Sequence, residues 1–70
     1  MIPLTLVSTS DEVVIRRISG LPECKKHLAD LGFVAGDTVK ILSAQNGNLI
    51  VNVKGARIAV SREMAQKIMV

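Results

Sequence analysis

Asn46-Gly47 lies between two runs of aliphatic, largely β-branched residues, and no other dipeptide in the chain constrains the fold as strongly. Asn-Gly tolerates positive φ at both central positions of a type I′ turn, whose twist matches that of the strands it joins. The pair therefore closes a hairpin between Thr38 to Ser43 and Leu49 to Val53. In the first arm Val39 and Ile41 share a face; in the second Leu49, Val51 and Val53 point one way and Asn52 the other. Lys54-Gly55 turns the chain again into a third strand, Ala56 to Val60, with Ile58 and Val60 inward.

The flanks are consistent with this meander. Glu12 to Ile18 is rich in β-branched residues and forms a strand. Val13 and Ile15 fit one face, Ile18 is out of step, and a bulge near Arg16-Arg17 reconciles them. Pro3 confines Met1 to Ser10 to an edge, as an extended lead-in. After the turn Ser19-Gly20-Leu21-Pro22, Pro22 suits the first helical position and Glu23 the first turn. Cys24, Leu28 and Leu31 then form a narrow apolar stripe, Leu21 staples the start, and Gly32 stops the helix as a left-handed cap. Gly36-Asp37 turns into the meander, Ser61 caps a short helix from Arg62 to Lys67, and Ile68 to Val70 returns as a last strand.

A chain of 70 residues makes one domain, spanning residues 1–70. It hides only about 60% of its unfolded surface. Its core must be dense, and 49% of the residues are hydrophobic although Phe33 is the only aromatic. Five short strands most economically close on themselves, which removes exposed edges. The expected fold is mostly β: a small SH3-like five-stranded barrel, one helix inserted after the first strand, and a short C-terminal helix.

Nine Lys and Arg against six Asp and Glu give a net charge of +3, which favours an acidic partner. The single cysteine, Cys24, excludes an internal disulfide. No basic segment followed by a long apolar run opens the chain, and no run approaches a membrane span, so a cytoplasmic protein without membrane insertion is expected. Enzymatic chemistry is not expected: there is no Gly-rich phosphate loop, no nucleophile paired with a base, and Cys24 belongs to the apolar stripe rather than to His27. Glu23, His27 and Asp30 follow at i, i+4 and i+7, ligand types that suit a divalent ion such as Zn²⁺. Three ligands along one straight helix do not converge on one ion, whereas two at i and i+4 can, and a metal shared between molecules is a further form. The alternative is an ordinary solvated face, and no cofactor is expected. A nucleic-acid-binding module is compatible with a pI near 9.5, but base stacking needs aromatics and Phe33 stands alone.

Several stretches, in their order and spacing, resemble the FeoA family of bacterial ferrous iron uptake. They are Val14-Ile15-Arg16-Arg17-Ile18-Ser19-Gly20, then Leu28-Ala29-Asp30-Leu31-Gly32-Phe33-Val34-Ala35-Gly36-Asp37, the hairpin pair, and Val60 to Glu63 with Ala65, Ile68 and Val70. The chain departs from the family pattern at Ser10-Asp11, where Pro-Gly is usual, and at His27 and Ala35, where Arg and Pro are usual. The same SH3-like domain resembles the C-terminal domain of iron- and manganese-dependent repressors, which makes a metal-binding regulatory domain an alternative. What the FeoA resemblance implies is a small cytoplasmic accessory or adaptor protein. Its implied partner is the cytoplasmic part of FeoB, the membrane ferrous transporter with a GTPase domain. Homo-oligomers are compatible with such a module.

Val34 is expected to plug the barrel end. Phe33, between two glycines, either does the same or is presented outward for docking. In the second case Lys25, Lys26, Ala29 and Phe33, extended by Arg16 and Arg17, form an apolar spot with a positive rim.

Overall fold

The computed structural model describes all residues from Met1 to Val70. Six strands and two helices follow one another as β1 (Glu12–Val14), β2 (Arg17–Ile18), α1 (Pro22–Leu31), β3 (Thr38–Gln45), β4 (Asn48–Val53), β5 (Ala56–Ser61), α2 (Arg62–Ala65) and β6 (Ile68–Met69). They form a four-stranded antiparallel sheet in the order β1-β3-β4-β5 and a two-stranded sheet of β2 and β6.

The expected hairpins form where the turn residues put them. Asn46 and Gly47 have φ of 48° and 80°, and Lys54 and Gly55 have 53° and 77°, so both turns carry positive φ at both central positions. Two-residue turns leave no freedom in register. Gln45 therefore faces Asn48 and Val53 faces Ala56, and β4 and β5 pair without interruption from there. The β3–β4 ladder shifts once, between Ile41 and Ser43, and this bulge lets the long β3 bend over the core.

The strand expected from Glu12 to Ile18 is broken into β1 and β2, and the break replaces the expected bulge. Up to Ile15 the chain bonds to the β3 side: the Ile15 N–H donates to the Asp37 carbonyl at 2.8 Å, and the Ile15 carbonyl accepts from Gly36 at 2.7 Å. One residue later the Arg16 N–H donates to the Met69 carbonyl at 2.8 Å. The chain thus leaves one sheet and joins the other within a single peptide. In place of five strands in one closed ring there are six in two ladders, and the larger sheet ends at β1 and β5.

Twelve residues are buried, all hydrophobic: Leu4, Ile15, Leu28, Phe33, Val39, Ile41, Leu49, Val51, Val53, Val60, Ala65 and Ile68. The expected inward faces of β3 and β4 are among them, while Ile58 of β5 is half-buried. The N-terminal segment is not simply extended. A 3-10 turn at Leu4–Leu6 drops the Leu4 side chain into the core. Just before it, Ile2 and Val70 exchange both backbone hydrogen bonds, at 2.9 and 2.8 Å. α1 occupies Pro22–Leu31 with Gly32 as its left-handed cap at φ 111°, and the Ser61 hydroxyl caps α2 by accepting from the Met64 N–H at 3.2 Å. α2 is shorter than expected, stopping at Ala65.

Two expectations are reversed, those for Val34 and Leu21. Phe33 is fully buried, one of the two positions open to it, whereas Val34, expected to plug the barrel end, is 41% exposed. Leu21 does not staple the helix; it is 69% exposed. The reversal at 33–34 follows from the cap: the Phe33 N–H donates back to the Leu28 carbonyl at 3.0 Å, which aims its side chain under the helix and the next one outward.

Phe33→Ala is expected to cost about 3–5 kcal/mol, a large part of the stability of so small a domain, in urea unfolding followed by circular dichroism. Val34→Ala, on the same joint, is expected to stay within about 0.5 kcal/mol of the parent. Leu4→Ala should lose about 2–5 kcal/mol, which separates a core anchor from a loose lead-in.

Candidate docking surface

α1 forms because Pro22 pre-sets its first turn and Glu23 complements the N-terminal dipole. Only Leu28 is fully buried; Cys24 and Leu31 are half-buried beside it. The remaining residues, Pro22, Glu23, Lys25, Lys26, His27, Ala29 and Asp30, face solvent. Counting about 100° per residue from Leu28, Lys25, Ala29 and Lys26 fall near 60°, 100° and 160°, and Asp30, Glu23 and His27 near 200°, 220° and 260°. The outer face is therefore split lengthwise into a basic strip with Ala29 between two lysines and an acidic strip with the imidazole. Two lysines against Glu23 and Asp30 make the helix neutral as a whole.

The joint after α1 is a tight turn. The Asp37 N–H donates to the Val34 carbonyl at 3.1 Å, and Gly36 at φ 96° takes the position where a Cβ would be strained. Its bonds to Ile15 place this turn, with the exposed Val34 and Ala35, beside Arg16. Arg16 and Arg17 are both exposed. Asp37 is taken up by Lys54, Nζ to Oδ2 at 3.3 Å, the only ion pair in the chain. Such exposed pairs contribute little to stability. At the other end of the helix the Ser19 N–H and hydroxyl both donate to the Lys67 carbonyl, at 2.7 and 3.1 Å. The Lys67 stem lies over Gly20, where a Cβ would come within 2.9 Å of it.

Of the sequence-derived docking residues, Lys25, Lys26, Ala29, Arg16 and Arg17 are at the surface and Phe33 is not. The apolar elements of the surface are instead Leu21, just before the helix, and Val34, just after it. Sequence reasoning missed both because it assigned them to the interior. With Phe33 buried, no aromatic face is left on which a base can stack.

Glu23, His27 and Asp30 share one sector of the helix, but Glu23 and Asp30 are about 10 Å apart along its axis. No three His, Cys, Asp or Glu residues are drawn together anywhere in the chain. No polar or charged residue is buried, and no cavity opens in the surface. No helix is long and apolar enough to cross a membrane.

These features find their counterpart in known proteins. The chain is 34% identical over 70 residues to Fe(2+) transport protein A of Methanocaldococcus jannaschii, covering all of this chain and 85% of that one. A crystal structure of an iron uptake regulatory protein, FeoA, superposes with a TM-score of 0.89 at 26% identity, over 97% of this chain and 90% of that one. FeoA of Stenotrophomonas maltophilia, solved with zinc and described as a procaryotic SH3 domain protein, has a TM-score of 0.87 at 21% identity, over 99% and 88% of the two chains. At that identity it speaks for the fold alone. The FeoA domain pattern matches residues 2–70, and the chain belongs to the FeoA domain family of ferrous iron transport accessory proteins.

Proposed function

We propose that this chain is a cytoplasmic adaptor that acts on ferrous iron uptake by docking onto the cytoplasmic part of a FeoB-type transporter. The observation that carries the reading is where its chemistry lies. None of its polar or charged residues is fully buried, and no cavity offers a substrate a place to bind. A domain built this way acts through contact, and family membership supplies the transport system in which the contact is made.

The surface best suited to it runs from Leu21 over the Lys25–Ala29–Lys26 strip of α1 to Val34 and Arg16, with Arg17 at its margin. It combines separate apolar spots with unpaired positive charges, since none of these cations takes part in an ion pair. A partner patch with apolar contacts and an acidic border would match it. Docking alone does not alter transport. The adaptor shifts the transporter's conformational equilibrium only to the extent that it binds one conformation more tightly than another.

The double variant Lys25→Glu, Lys26→Glu is expected to keep its folding stability within about 0.5 kcal/mol. It is expected to bind the purified cytoplasmic domain of the transporter at least about tenfold more weakly at low salt, because a rim charge is reversed at two places. The parent's own affinity should fall as ionic strength rises. A folded double variant that binds like the parent rules this surface out.

No metal is needed for the proposed role. Stoichiometric Zn²⁺ or Fe²⁺ is expected to leave the thermal midpoint unchanged, since an ion that bound only the folded state would raise it by mass action. A rise abolished by His27→Ala would instead establish a site on α1.

A further inference from the structure

The four-stranded sheet ends at β5, and this edge has no partner. The Lys54-Gly55 turn makes Val53 and Ala56 the hydrogen-bonded pair that closes the hairpin. Bonded and non-bonded pairs then alternate along the ladder. Val51 with Ile58 and Leu49 with Val60 are therefore bonded, whereas the N–H and C=O groups of Arg57 and Ala59 point away from β4. No other backbone or side-chain group in the chain takes up these four polar atoms. Both residues are exposed.

Natural sheets guard such an edge with a proline, charged side chains, a bulge, an inward charge, a very short strand or a covering element. On β5 the guard is the single charge of Arg57, which leaves no proline, bulge or inward charge in the way. The strand runs six residues from Ala56 to Ser61 in continuous register, and its one cation within that span, Arg57, is on the solvent side. β1, the opposite edge, is only three residues long and follows the positive-φ residue Ser10 at φ 77°. Around the β5 edge the side chains of Ala56, Ala59 and Ser61 are small, and the cations there are Arg57 and Arg62, neither of them in an ion pair, with the carboxylate of Glu63 following Arg62 on α2.

We propose that the free edge of β5 accepts an extended, acidic peptide segment of a partner protein as an added antiparallel strand. The Arg57 and Ala59 backbones would exchange up to four hydrogen bonds with it, alternate carboxylates of the peptide would reach Arg57 and Arg62, and Ala59 leaves room for a side chain between them. This surface shares no residue with the α1 face, so the two readings stand or fall separately.

The test uses the full chain, isotope-labelled, and a short synthetic peptide of alternating Glu and Val. On adding the peptide, the amide protons of Arg57 and Ala59 are expected to exchange about tenfold more slowly or better. Ala59→Pro should abolish the effect while the β3, β4 and β5 ladder amides stay protected, since the Ala59 N–H is not part of that ladder. Arg57→Glu should weaken binding several-fold, and the matching Lys-Val peptide should not bind. If Ala59→Pro does not fold, the parent and Arg57→Glu decide. The proposal is overturned if millimolar peptide leaves both amides unprotected, or if a folded Ala59→Pro binds like the parent. It is equally overturned if a single-stranded oligonucleotide protects them better than the peptide, or if they are already protected in the chain alone in proportion to its concentration, which would mean that a second copy fills the edge. Reversal of Lys25 and Lys26 should leave peptide binding intact, so a failure there does not bear on the α1 face.

Discussion

Two successive peptide groups hold the two sheets together. Ile15 bonds through both its N–H and its carbonyl to the turn before β3, and Arg16 donates to β6. The Ile15 side chain is fully buried beneath this handover. The N-terminal segment, β6 and α2 depend on it, since the small sheet is only a two-residue pairing of β2 with β6. Two residue pairs cannot hold a sheet in water alone. They persist because Ile68 beside them is buried with Leu4, Ala65 and Ile15, and because Ile2 and Val70 continue the pairing outward.

The same handover shapes the proposed docking surface. The turn that bonds to Ile15 carries Val34, and the residue after Ile15 is Arg16, so an apolar spot and a cation from distant parts of the sequence become neighbours. Neither the neutral charge of α1 nor the spread of arginines along the chain shows this. The positive character of the proposed surface rests on one strip of the helix together with the arginines at the strand break, rather than on a run of basic residues.

What was legible from the sequence was what short-range chemistry decides. Asn46-Gly47 and Lys54-Gly55 set the register of β3, β4 and β5, and Pro22 and Gly32 bound α1. The illegible parts are those where neighbouring residues compete for one place. Phe33 and Val34 are both apolar, and only the backbone bond from Phe33 to Leu28 decides which goes inward. Leu4 and Leu21 are both leucines beside a proline, yet one is in the core and the other in solvent. No periodicity exists in a three-residue 3-10 turn to reveal it. The strand break at Ile15-Arg16 was visible only as an irregularity in the alternation, with nothing to show that the chain changes sheets there. Among the site residues, the charged ones and Ala29 lie at the surface as expected, and Phe33 takes the buried one of the two positions open to it.

The size of the molecule bears on how the proposed docking could work. Its accessible surface is 4292 Å², and a stable interface takes about 800 Å² from each partner, nearly a fifth of the whole. Ten helical residues extend only about 15 Å, and half of the α1 circumference is committed to the core or to its acidic strip. The basic strip alone therefore cannot supply an interface of that size. A partner has to reach onto the Val34 turn and Arg16, or bind weakly. Weak binding suits the proposed role, because only the difference in affinity between two conformations of the partner shifts their equilibrium. On so small a domain, discrimination between conformations is easier to build from a patch assembled across several elements than from one helix, because a small rearrangement of the partner breaks some of its contacts and spares others.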